Sequence, residues 1–440
     1  MNTNSDTQSV GGGRISRRAL LKGSALAGAG LAAGLHIERA AHAAGSDVLK
    51  VGLIGCGDRG SGAAVNALNA DANARLVAMS DLFAENIVRS RQNIANLKGD
   101  QVAVKDDHCF AGFDGYQKLL ATDVDVVLIA LPTFFHPTYL KAAIDAGKHV
   151  FCEKVHAVDA PGVRMVLAAG EAARKKNLSI VSGLAWRYDT GVRETMKRVL
   201  DGAIGEIVSI DTFCNTGSLR CRQRQPPWTE MEYQIRDWFN FFWLSCDLPG
   251  LNLVHNLDKA AWAMRDEPPL RAWGAGGRQT RVGPQFGDAF DHFAVFYDYA
   301  DGVKLHAYAQ QQDGCTVAIC DHFRGTKGRC DLLCNRIEGE TKWHYAGPGC
   351  NRFDLEHVAL FSAIRSGKPI NNSLYMARSS LLAIMATWVC YTGQSITWEQ
   401  AMKSNYALAP KTLALSAAPP TLPDARGNYP IPLPGVTRFA

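Results

Sequence analysis

Three glycines at the spacing G-x-G-x-x-G are the first residues of this chain with a clear chemical use. Gly55, Gly57 and Gly60 follow the apolar run at residues 49–54 and precede a helical pattern at residues 63–68. In a strand–loop–helix unit these glycines permit a tight turn, close approach of a pyrophosphate and close packing of the helix. The free N–H groups at the start of the helix would face the phosphates. The predicted cofactor contacts of this dinucleotide-binding loop are Gly55, Cys56, Gly57, Asp58, Arg59 and Gly60.

A carboxylate stands at the end of the second predicted strand. Residues 75–80 have the composition of a strand, and Asp81 follows them directly. An acid about 20 residues beyond the glycine loop accepts a hydrogen bond from the ribose 2′-hydroxyl, and it repels a 2′-phosphate. Asp81 therefore predicts NAD, rather than NADP, as the cofactor.

Two more motifs lie where predicted strands end. The continuous apolar run at residues 124–130 is typical of a parallel strand that is buried on both faces, and a further strand is predicted at 149–152. Ligands of parallel α/β sheets bind at the carboxyl ends of the strands. The residues expected to extend the cofactor site from these ends are Leu131, Pro132, Thr133, His136, Glu153 and Lys154.

The elements that must position these residues alternate between strand and helix, with expected strands at 101–104 and 178–182. This alternation predicts an α/β fold whose residues 44–185 form a Rossmann domain with a doubly wound parallel sheet. Residues 186–407 are predicted to form an α+β domain with a large, mostly antiparallel open sheet, in which Asp301-Gly302 is a hairpin signal. Two helices, near 353–366 and 374–391, are expected to pack back toward the first domain. Residues 408–440 are predicted to form a proline-rich tail.

The N-terminus has the layout of a twin-arginine signal peptide over residues 1–43. Arg17 and Arg18 precede an apolar run of small residues, and Ala41-His42-Ala43 offers a cleavage site. The apolar run, about 13 residues long, is too short to span a bilayer, and no later run is expected to be long enough. We therefore expect a periplasmic or exported protein whose partners include the twin-arginine export machinery.

Composition excludes several other classes of protein. The chain is 47% hydrophobic and 20% charged, as soluble globular proteins are, and its net charge is only +5. The leader contributes a net +3 of this charge, and no dense basic run follows, so no nucleic-acid partner is expected. Twelve cysteines occur without a C-x-x-C pair, so no metal site is predicted, and the disulfide pattern stays open.

Taken together, the motifs resemble the glucose–fructose oxidoreductase / inositol dehydrogenase / MocA (Gfo/Idh/MocA) family, especially its exported twin-arginine members. The segments that carry the resemblance are VGLIGCGDRG at 51–60, LPTFFHP at 131–137, CEK at 152–154, AVDAPGVR at 157–164, GAIGEIV at 202–208, EYQIRDWFNFFWLSCD at 232–247, VHNLDKAAWAM at 254–264 and DHFAVFYDYADGVKLHAYAQQ at 291–311. The resemblance spans nearly the whole chain after the leader.

The resemblance implies two catalytic residues. Lys154 matches the lysine of the family's E-K-P motif, which lies at the nicotinamide and the substrate. His255 matches a histidine at the start of a helix in the second domain, and it is the candidate proton carrier. Asp258 more closely matches a structural part of that motif, where it would orient or cap.

Several positions depart from the family pattern. Val155 replaces the proline after E-K, Trp186 stands where arginine is common, and Leu251 stands where relatives carry a carboxylate. Leu253 falls on a further histidine position, and Asp247 lies earlier in the same segment. Losing the carboxylate removes a group that would fix the imidazole tautomer. We therefore expect altered substrate recognition or a slow or non-standard reaction.

Aromatic faces and arginine donors suit a sugar ring, which has apolar C–H faces and hydroxyl edges. The predicted substrate-binding residues are Arg187, Tyr188, Trp228, Tyr233, Arg236, Trp238, His255 and His292.

The resulting hypothesis is an exported NAD(H)-dependent oxidoreductase that transfers a hydride between nicotinamide and a carbon of a sugar or polyol. One alternative is a glycosidase that uses bound NAD for transient oxidation of the sugar. Another is a non-catalytic protein that binds NAD or sugar, which Val155 and Leu251 motivate. A homo-oligomer, a dimer or tetramer that uses the exposed face of the sheet, is also expected.

Overall fold

Two β-sheets organise the chain, one parallel and one mostly antiparallel. The computed structural model describes residues 48–438, and the leader predicted at residues 1–43 lies outside the described residues. Both sheets belong to one packing unit.

The parallel sheet has the doubly wound order β3-β2-β1-β4-β5-β6, and all of its strand pairs are parallel. Its strands are β1 (Leu49–Ile54), β2 (Ala74–Asp81), β3 (Cys109–Ala111), β4 (Val126–Ile129), β5 (His149–Cys152) and β6 (Ile180–Ser182). Strand β4 is buried along its whole length and β1 from Val51 to Ile54, as continuous apolar runs require. The predicted Rossmann fold is confirmed.

Helices connect these strands. They are α1 (Asp58–Ala70), α2 (Ala84–Lys98), α3 (Gly115–Leu120), α4 (His136–Asp145) and α5 (Ala160–Lys175). The strand predicted at 101–104 is wrong, because Gly99–Gln101 form a short 3₁₀ turn and Val102 makes only an isolated bridge to Leu76. The third strand of the sheet is β3 instead.

The second sheet has nine strands in the order β14-β13-β12-β11-β7-β10-β9-β8-β15, and only the β7–β10 pair is parallel. The strands are β7 (Ile207–Thr216), β8 (Arg271–Gly277), β9 (His292–Asp298), β10 (Lys304–Gln311), β11 (Ala318–Gly325), β12 (Gly328–Asp331), β13 (Arg336–Gly339), β14 (Trp343–His344) and β15 (Ile396–Thr397). This confirms the predicted, mostly antiparallel second sheet. One face carries buried apolar side chains, and the other is partly exposed, with Trp273 at 45%.

Seven helices accompany this sheet in the described chain. They are α6 (Thr190–Leu200), α7 (Glu230–Arg236), α8 (Phe242–Ser245), α9 (Val254–Ala263), α10 (Arg352–Ser366), α11 (Ser373–Thr392) and α12 (Trp398–Lys403). Helix α10 packs on α1, and α11 packs on α5, so both return to the parallel sheet as expected. Phe361 of α10 completes the core on one face of that sheet.

Helix α11 is the one described helix that is long and apolar enough to cross a membrane. This corrects the expectation that no later apolar run reaches that length. However, 83% of its apolar window is buried inside the protein, where it packs against α5 and β8. Its composition is therefore that of a central core helix.

The proline-rich tail contains no helix or strand between α12 and residue 438. It runs along the same chain, since the N–H of Leu408 donates to Asp159 (3.0 Å) and the Tyr429 hydroxyl donates to Glu230 (2.6 Å). All twelve cysteines are free thiols, and six of them are buried.

Candidate cofactor groove and active site

The glycine loop makes the tight strand-to-helix turn for which its residues are suited. Gly55 has φ +97°, a conformation that disfavours every residue with a Cβ. A Cβ atom at Gly60 would lie 1.8 Å from the carbonyl oxygen of Gly55, so only glycine lets α1 pack this closely. A Cβ at Gly57 would meet no atom within 4 Å, which leaves its backbone open to a ligand. The loop therefore fits a pyrophosphate.

Asp81 holds the end of β2 against this loop. Its carboxylate accepts hydrogen bonds from the N–H of Cys56 (2.7 Å), the N–H of Phe83 (2.9 Å) and the side-chain amide of Asn86 (3.0 Å). The side chain is buried at the bottom of a groove that begins at the glycine loop. Asp81 is thus positioned at the place predicted for a ribose-binding acid.

The groove is lined from both parts of the chain. The lining residues predicted for the cofactor are Gly55, Gly57, Asp58, Arg59, Asp81, Leu131 and Pro132. Those without a sequence prediction include Phe83, Asn86, Arg89, Phe113, Tyr139, Arg220, Arg222, Ile235 and Phe239. Arg236 and Trp238, predicted for the substrate, line this groove as well, beside Asp81.

Six predicted cofactor residues do not line the groove, namely Cys56, Gly60, Thr133, His136, Glu153 and Lys154. Cys56 and Gly60 are buried in the turn itself, and Thr133 is buried at the end of β4. His136 is buried at the start of α4, where its Nδ1 lies 2.6 Å from the carbonyl oxygen of Val155. Burial lowers the pKa of His136 to about 4, so this ring is neutral. Cys56, Gly60, Thr133 and His136 are thus buried beneath the residues that line the groove.

Glu153 connects the glycine loop to the end of β5. Its Oε1 lies 2.7 Å from Nε of Arg59, and its Oε2 accepts the N–H of Lys154 at 3.1 Å. Glu153 is buried, whereas the Arg59 side chain is 39% exposed, so the pair lies at the edge of the solvent. The pair fixes the backbone of Lys154 relative to the nucleotide loop.

Lys154 extends from the parallel sheet to the second part of the chain. Its Nζ donates a 2.6 Å hydrogen bond to the carbonyl oxygen of Leu251, and the Leu251 side chain itself is buried. Burial lowers the pKa of Lys154 below its usual value. The ammonium group thus contacts the backbone of Leu251, the position at which the resemblance leads one to expect a carboxylate.

His255 is the second residue of α9 and follows a π-helical turn, Pro249–Leu253. Its Nδ1 is buried and has no hydrogen-bond partner within residues 48–438. The pKa of His255 is well below 6.5, because of burial first and then the positive charges of Lys154 and Lys259. A neutral imidazole beside two ammonium groups can accept a proton at neutral pH.

The charges of Lys259 and Arg352 act on His255, and neither of these residues is in the set predicted from the sequence. Lys259, fully buried, pairs with Asp321 at 3.0 Å. The ring of Trp186 lies under the Lys259 ammonium (4.8 Å) and the Arg352 guanidinium (3.8 Å). Lys259 could have been found, since it is four residues from His255 on one helix. Arg352 comes from α10, and no local signal connects it to this site.

The polar groups of Arg187 and Tyr188 bond to other side chains of the protein. The guanidinium of Arg187 pairs with Asp258 (2.9 Å) and Asp266 (2.6 Å). Asp258 also accepts the Ser379 hydroxyl, so it anchors α9 as the structural role implies. The Tyr188 hydroxyl donates to Asn372 (2.9 Å). The structure does not bring these two predicted substrate residues to Lys154.

The remaining predicted substrate residues lie in two other places. Tyr233 is buried against Phe241, and Trp228 stacks under Arg236, whose guanidinium also pairs with Glu85. His292 alternates with the buried Phe293, which places it on the opposite face of the second sheet, paired with Asp291. Of the predicted substrate set, only His255 is near Lys154.

Asp247, the acid kept in this segment, is structural. It accepts hydrogen bonds from the N–H groups of Leu248 and Phe290 and from the Tyr391 hydroxyl. It is fully buried, and burial raises its pKa to about 6. It does not replace the carboxylate missing at Leu251.

The sheet order, the glycine loop and the groove define a dinucleotide-binding Rossmann protein with a second, α+β part. Residues 49–182 match the model of a family described as "Oxidoreductase family, NAD-binding Rossmann fold". Over these residues the chain is therefore similar to the Gfo/Idh/MocA family.

Individual relatives agree with this assignment. The chain is 31% identical over 220 residues to inositol 2-dehydrogenase of Klebsiella pneumoniae (strain 342), which covers 50% of this chain and 55% of the relative. It is 28% identical over 231 residues to 2,7-anhydro-N-acetylneuraminate hydratase of Escherichia coli (strain K12), with 50% and 56% covered. These matches span about half the length of the curated relatives.

A solved structure extends the similarity of fold. The structure of levoglucosan dehydrogenase in complex with NADH and levoglucosan matches with a TM-score of 0.61 and 17% identity. The match covers 79% of this chain and 99% of that one. The fold is thus shared well beyond the Rossmann part.

The close contact at Gly60 leads to the first prediction. Gly60→Ala places a Cβ against the Gly55 carbonyl oxygen, so the turn must open. We expect a destabilisation of about 1–3 kcal/mol, as for other overpacked positions, together with weakened NADH binding. Thermal unfolding and NADH fluorescence titration measure the two effects.

Gly62→Ala is the matched control in the same helix. A Cβ there meets only the end of the Arg59 side chain, at 3.4 Å. We expect unchanged NADH binding and up to about 1 kcal/mol of added stability. Equal behaviour of the two variants would contradict the role given to the Gly55–Gly60 contact.

Proposed function

We propose that the protein is an NAD(H)-dependent oxidoreductase that acts on a polyol or sugar. The proposal rests on one contact. The Nζ of Lys154 donates a 2.6 Å hydrogen bond to the carbonyl oxygen of Leu251, which lies in the segment that leads to His255. Glu153 and Arg59 connect this meeting point to the glycine loop. The chain thereby joins a nucleotide loop, an ammonium group and a neutral imidazole.

The residues present fit the dinucleotide. Gly57 offers open backbone, Asp81 stands at the ribose position, and Leu131 and Pro132 continue the groove. When bound, the nicotinamide would supply the acceptor or donor of the hydride.

The protein's own task is to orient one hydroxyl and to move one proton. The Nζ of Lys154, already directed at an oxygen acceptor, would hold the substrate oxygen. The neutral imidazole of His255 would accept the hydroxyl proton during oxidation and return it during reduction. Lys259 and Arg352 favour the neutral form of this imidazole through their positive charge. His255 is therefore unprotonated and available to accept a proton with no carboxylate at position 251, as a weaker base than a free histidine.

The polyol or sugar class rests on the relatives and on the surroundings of His255. The names of relatives include an inositol 2-dehydrogenase and a levoglucosan dehydrogenase. The half-buried Trp186 offers an aromatic face next to the Lys259 and Arg352 donors. Such a combination suits a ring with apolar faces and hydroxyl edges.

Lys154→Ala is the direct test of the catalytic assignment. We expect the rate of NADH formation with the best substrate of a polyol and sugar panel to fall about 10²–10⁴-fold. NADH affinity should change little, since Lys154 does not line the groove. Steady-state kinetics and fluorescence titration separate the two quantities. Lys141→Ala, an exposed lysine paired with Asp145, serves as the control.

Undiminished turnover by the Lys154 variant would reject this assignment. A second candidate function has one observation in its favour, namely that one relative is a hydratase. In that case substrate would be converted without net NADH, through transient oxidation. Product analysis beside the NADH signal distinguishes the two.

The pH dependence follows from the two lowered pKa values. His255, with a pKa below 6.5, stays an unprotonated base down to more acidic pH than a free histidine. Lys154, with a pKa below 10.5, loses its proton at less alkaline pH than a free lysine. We expect the acid limb of kcat/KM below pH 6.5 and the alkaline limb below pH 10.5. An alkaline limb that persists unchanged in Lys154→Met would contradict this origin.

We propose further that the protein is exported through the twin-arginine route. The support is the sequence pattern around Arg17 and Arg18, with Ala41-His42-Ala43 beyond it. Replacing both arginines by lysine in the full chain should leave the protein in the cytoplasm. Cell fractionation measures this, and unchanged export of the double variant would refute the route.

A further inference from the structure

A short segment after β7 carries three arginines across the edge of the cofactor groove. We call residues 218–224 the arginine strap, since it contains Arg220, Arg222 and Arg224. It belongs to the second part of the chain. Arg220 and Arg222 nevertheless line the groove together with Gly57 and Asp81.

Buried polar side chains hold the strap in place. The carbonyl oxygen of Leu219 accepts a bond from Arg281 (2.9 Å), and that of Arg220 accepts one from Asn240 (3.2 Å). The N–H of Arg222 donates to Asp237 (2.6 Å). Asp237, Asn240 and Arg281 are each at least 98% buried. The strap is therefore a built part of the groove.

Arg220 reaches the start of α1. Its Nη1 lies 3.1 Å from Oδ2 of Asp58, the first residue of that helix. The side chains are 52% and 79% exposed, so the pair contributes little to stability. However, its position is that of the helix start where a pyrophosphate is expected to bind. Asp58 would repel a pyrophosphate there, and Arg220 offsets this charge.

Arg222 adds positive charge without a counter-ion. Its guanidinium has no carboxylate partner among residues 48–438. The pKa of Arg222 is lowered by burial and then by the neighbouring positive charges, of which Arg220 is the largest. Arg89 also lines the groove, and it donates to the side-chain oxygen of Asn86 with no carboxylate partner among residues 48–438. This part of the groove therefore has a surplus of arginine.

We propose that Arg220 and Arg222 bind the pyrophosphate of the dinucleotide, so that the second part of the chain completes the phosphate site of the Rossmann loop. The inference rests on the proposed function, which requires a bound dinucleotide. Guanidinium groups form charge-assisted, bidentate hydrogen bonds with phosphate oxygens. Arg220 exchanges its carboxylate partner for phosphate, and Arg222 gains its first anionic partner. The cofactor is thereby held from both parts of the chain, which slows its release.

The test compares Arg220→Gln and Arg222→Gln with wild type by calorimetry and stopped-flow fluorescence, using the full chain. NADH and ADP-ribose both contain the pyrophosphate, whereas adenosine does not. We expect the Kd for NADH and ADP-ribose to rise about 10- to 100-fold in each variant, as for a lost charged hydrogen bond. Adenosine binding should stay unchanged, and NADH should dissociate faster. Higher salt should weaken wild-type binding more than that of the variants.

Two controls make the result specific. Arg224→Gln alters the same strap, but Arg224 pairs with Glu230 and does not line the groove, so its NADH affinity should match wild type. Asp58→Asn removes the opposing charge, and it should tighten ADP-ribose binding. Unchanged melting temperatures would show that the substitutions of these exposed residues leave the fold intact.

The outcomes separate this inference from the proposed function. If wild type binds NADH and the two strap variants bind it equally well, the inference is overturned and the function stands. A loss confined to NADPH would place the arginines at a 2′-phosphate and would also overturn the inference. If wild type binds no dinucleotide, the proposed function itself fails.

Discussion

The hydrogen bond from the Lys154 ammonium to the Leu251 carbonyl is the contact on which the active-site arrangement depends. It joins the end of β5 to the π-helical turn before α9, and it therefore sets the distance between the nucleotide loop and His255. A buried ammonium group needs an acceptor, because leaving it unpaired costs several kcal/mol. With an apolar side chain at Leu251, the backbone supplies that acceptor. The junction therefore forms without a carboxylate side chain at position 251.

Without a carboxylate at position 251, the charges that act on His255 are positive. His255 lies among Lys154, Lys259 and Arg352, and the buried acid next to Lys259 is Asp321, on the side of β11. Positive neighbours and burial both favour the neutral imidazole. In a site with a carboxylate at position 251, basicity would come from that acid. Here no such acid raises the basicity, and burial with the positive neighbours keeps the imidazole unprotonated by lowering its pKa.

The sequence predicts what is local and periodic in this molecule. Gly55, Gly57, Gly60 and Asp81 act within one strand–loop–helix–strand unit, so their spacing alone places them at one edge of the sheet. The apolar runs of the parallel strands are equally explicit. His292 shows what residue type alone does not predict. A histidine suits a substrate site, but the two-residue alternation of β9 places this side chain on the opposite face of the sheet. The ion pairs of Arg187 could not be predicted, because Asp258 and Asp266 are brought to it only by the folded chain.

Residues that approach from distant segments were beyond any sequence signal. Arg352 reaches Trp186 from α10, and Arg220 reaches Asp58 from the strap after β7. The glycine fingerprint describes only the half of a phosphate site that one βαβ unit can build, namely backbone N–H groups and a helix dipole. Because arginine side chains are long, any segment that folding brings near the phosphate site can contribute one. In this chain Asp58 places a negative charge at the first turn of α1, and Arg220 from another segment offsets it. The proposed phosphate site of this chain is therefore built from two segments, the glycine loop and the strap after β7.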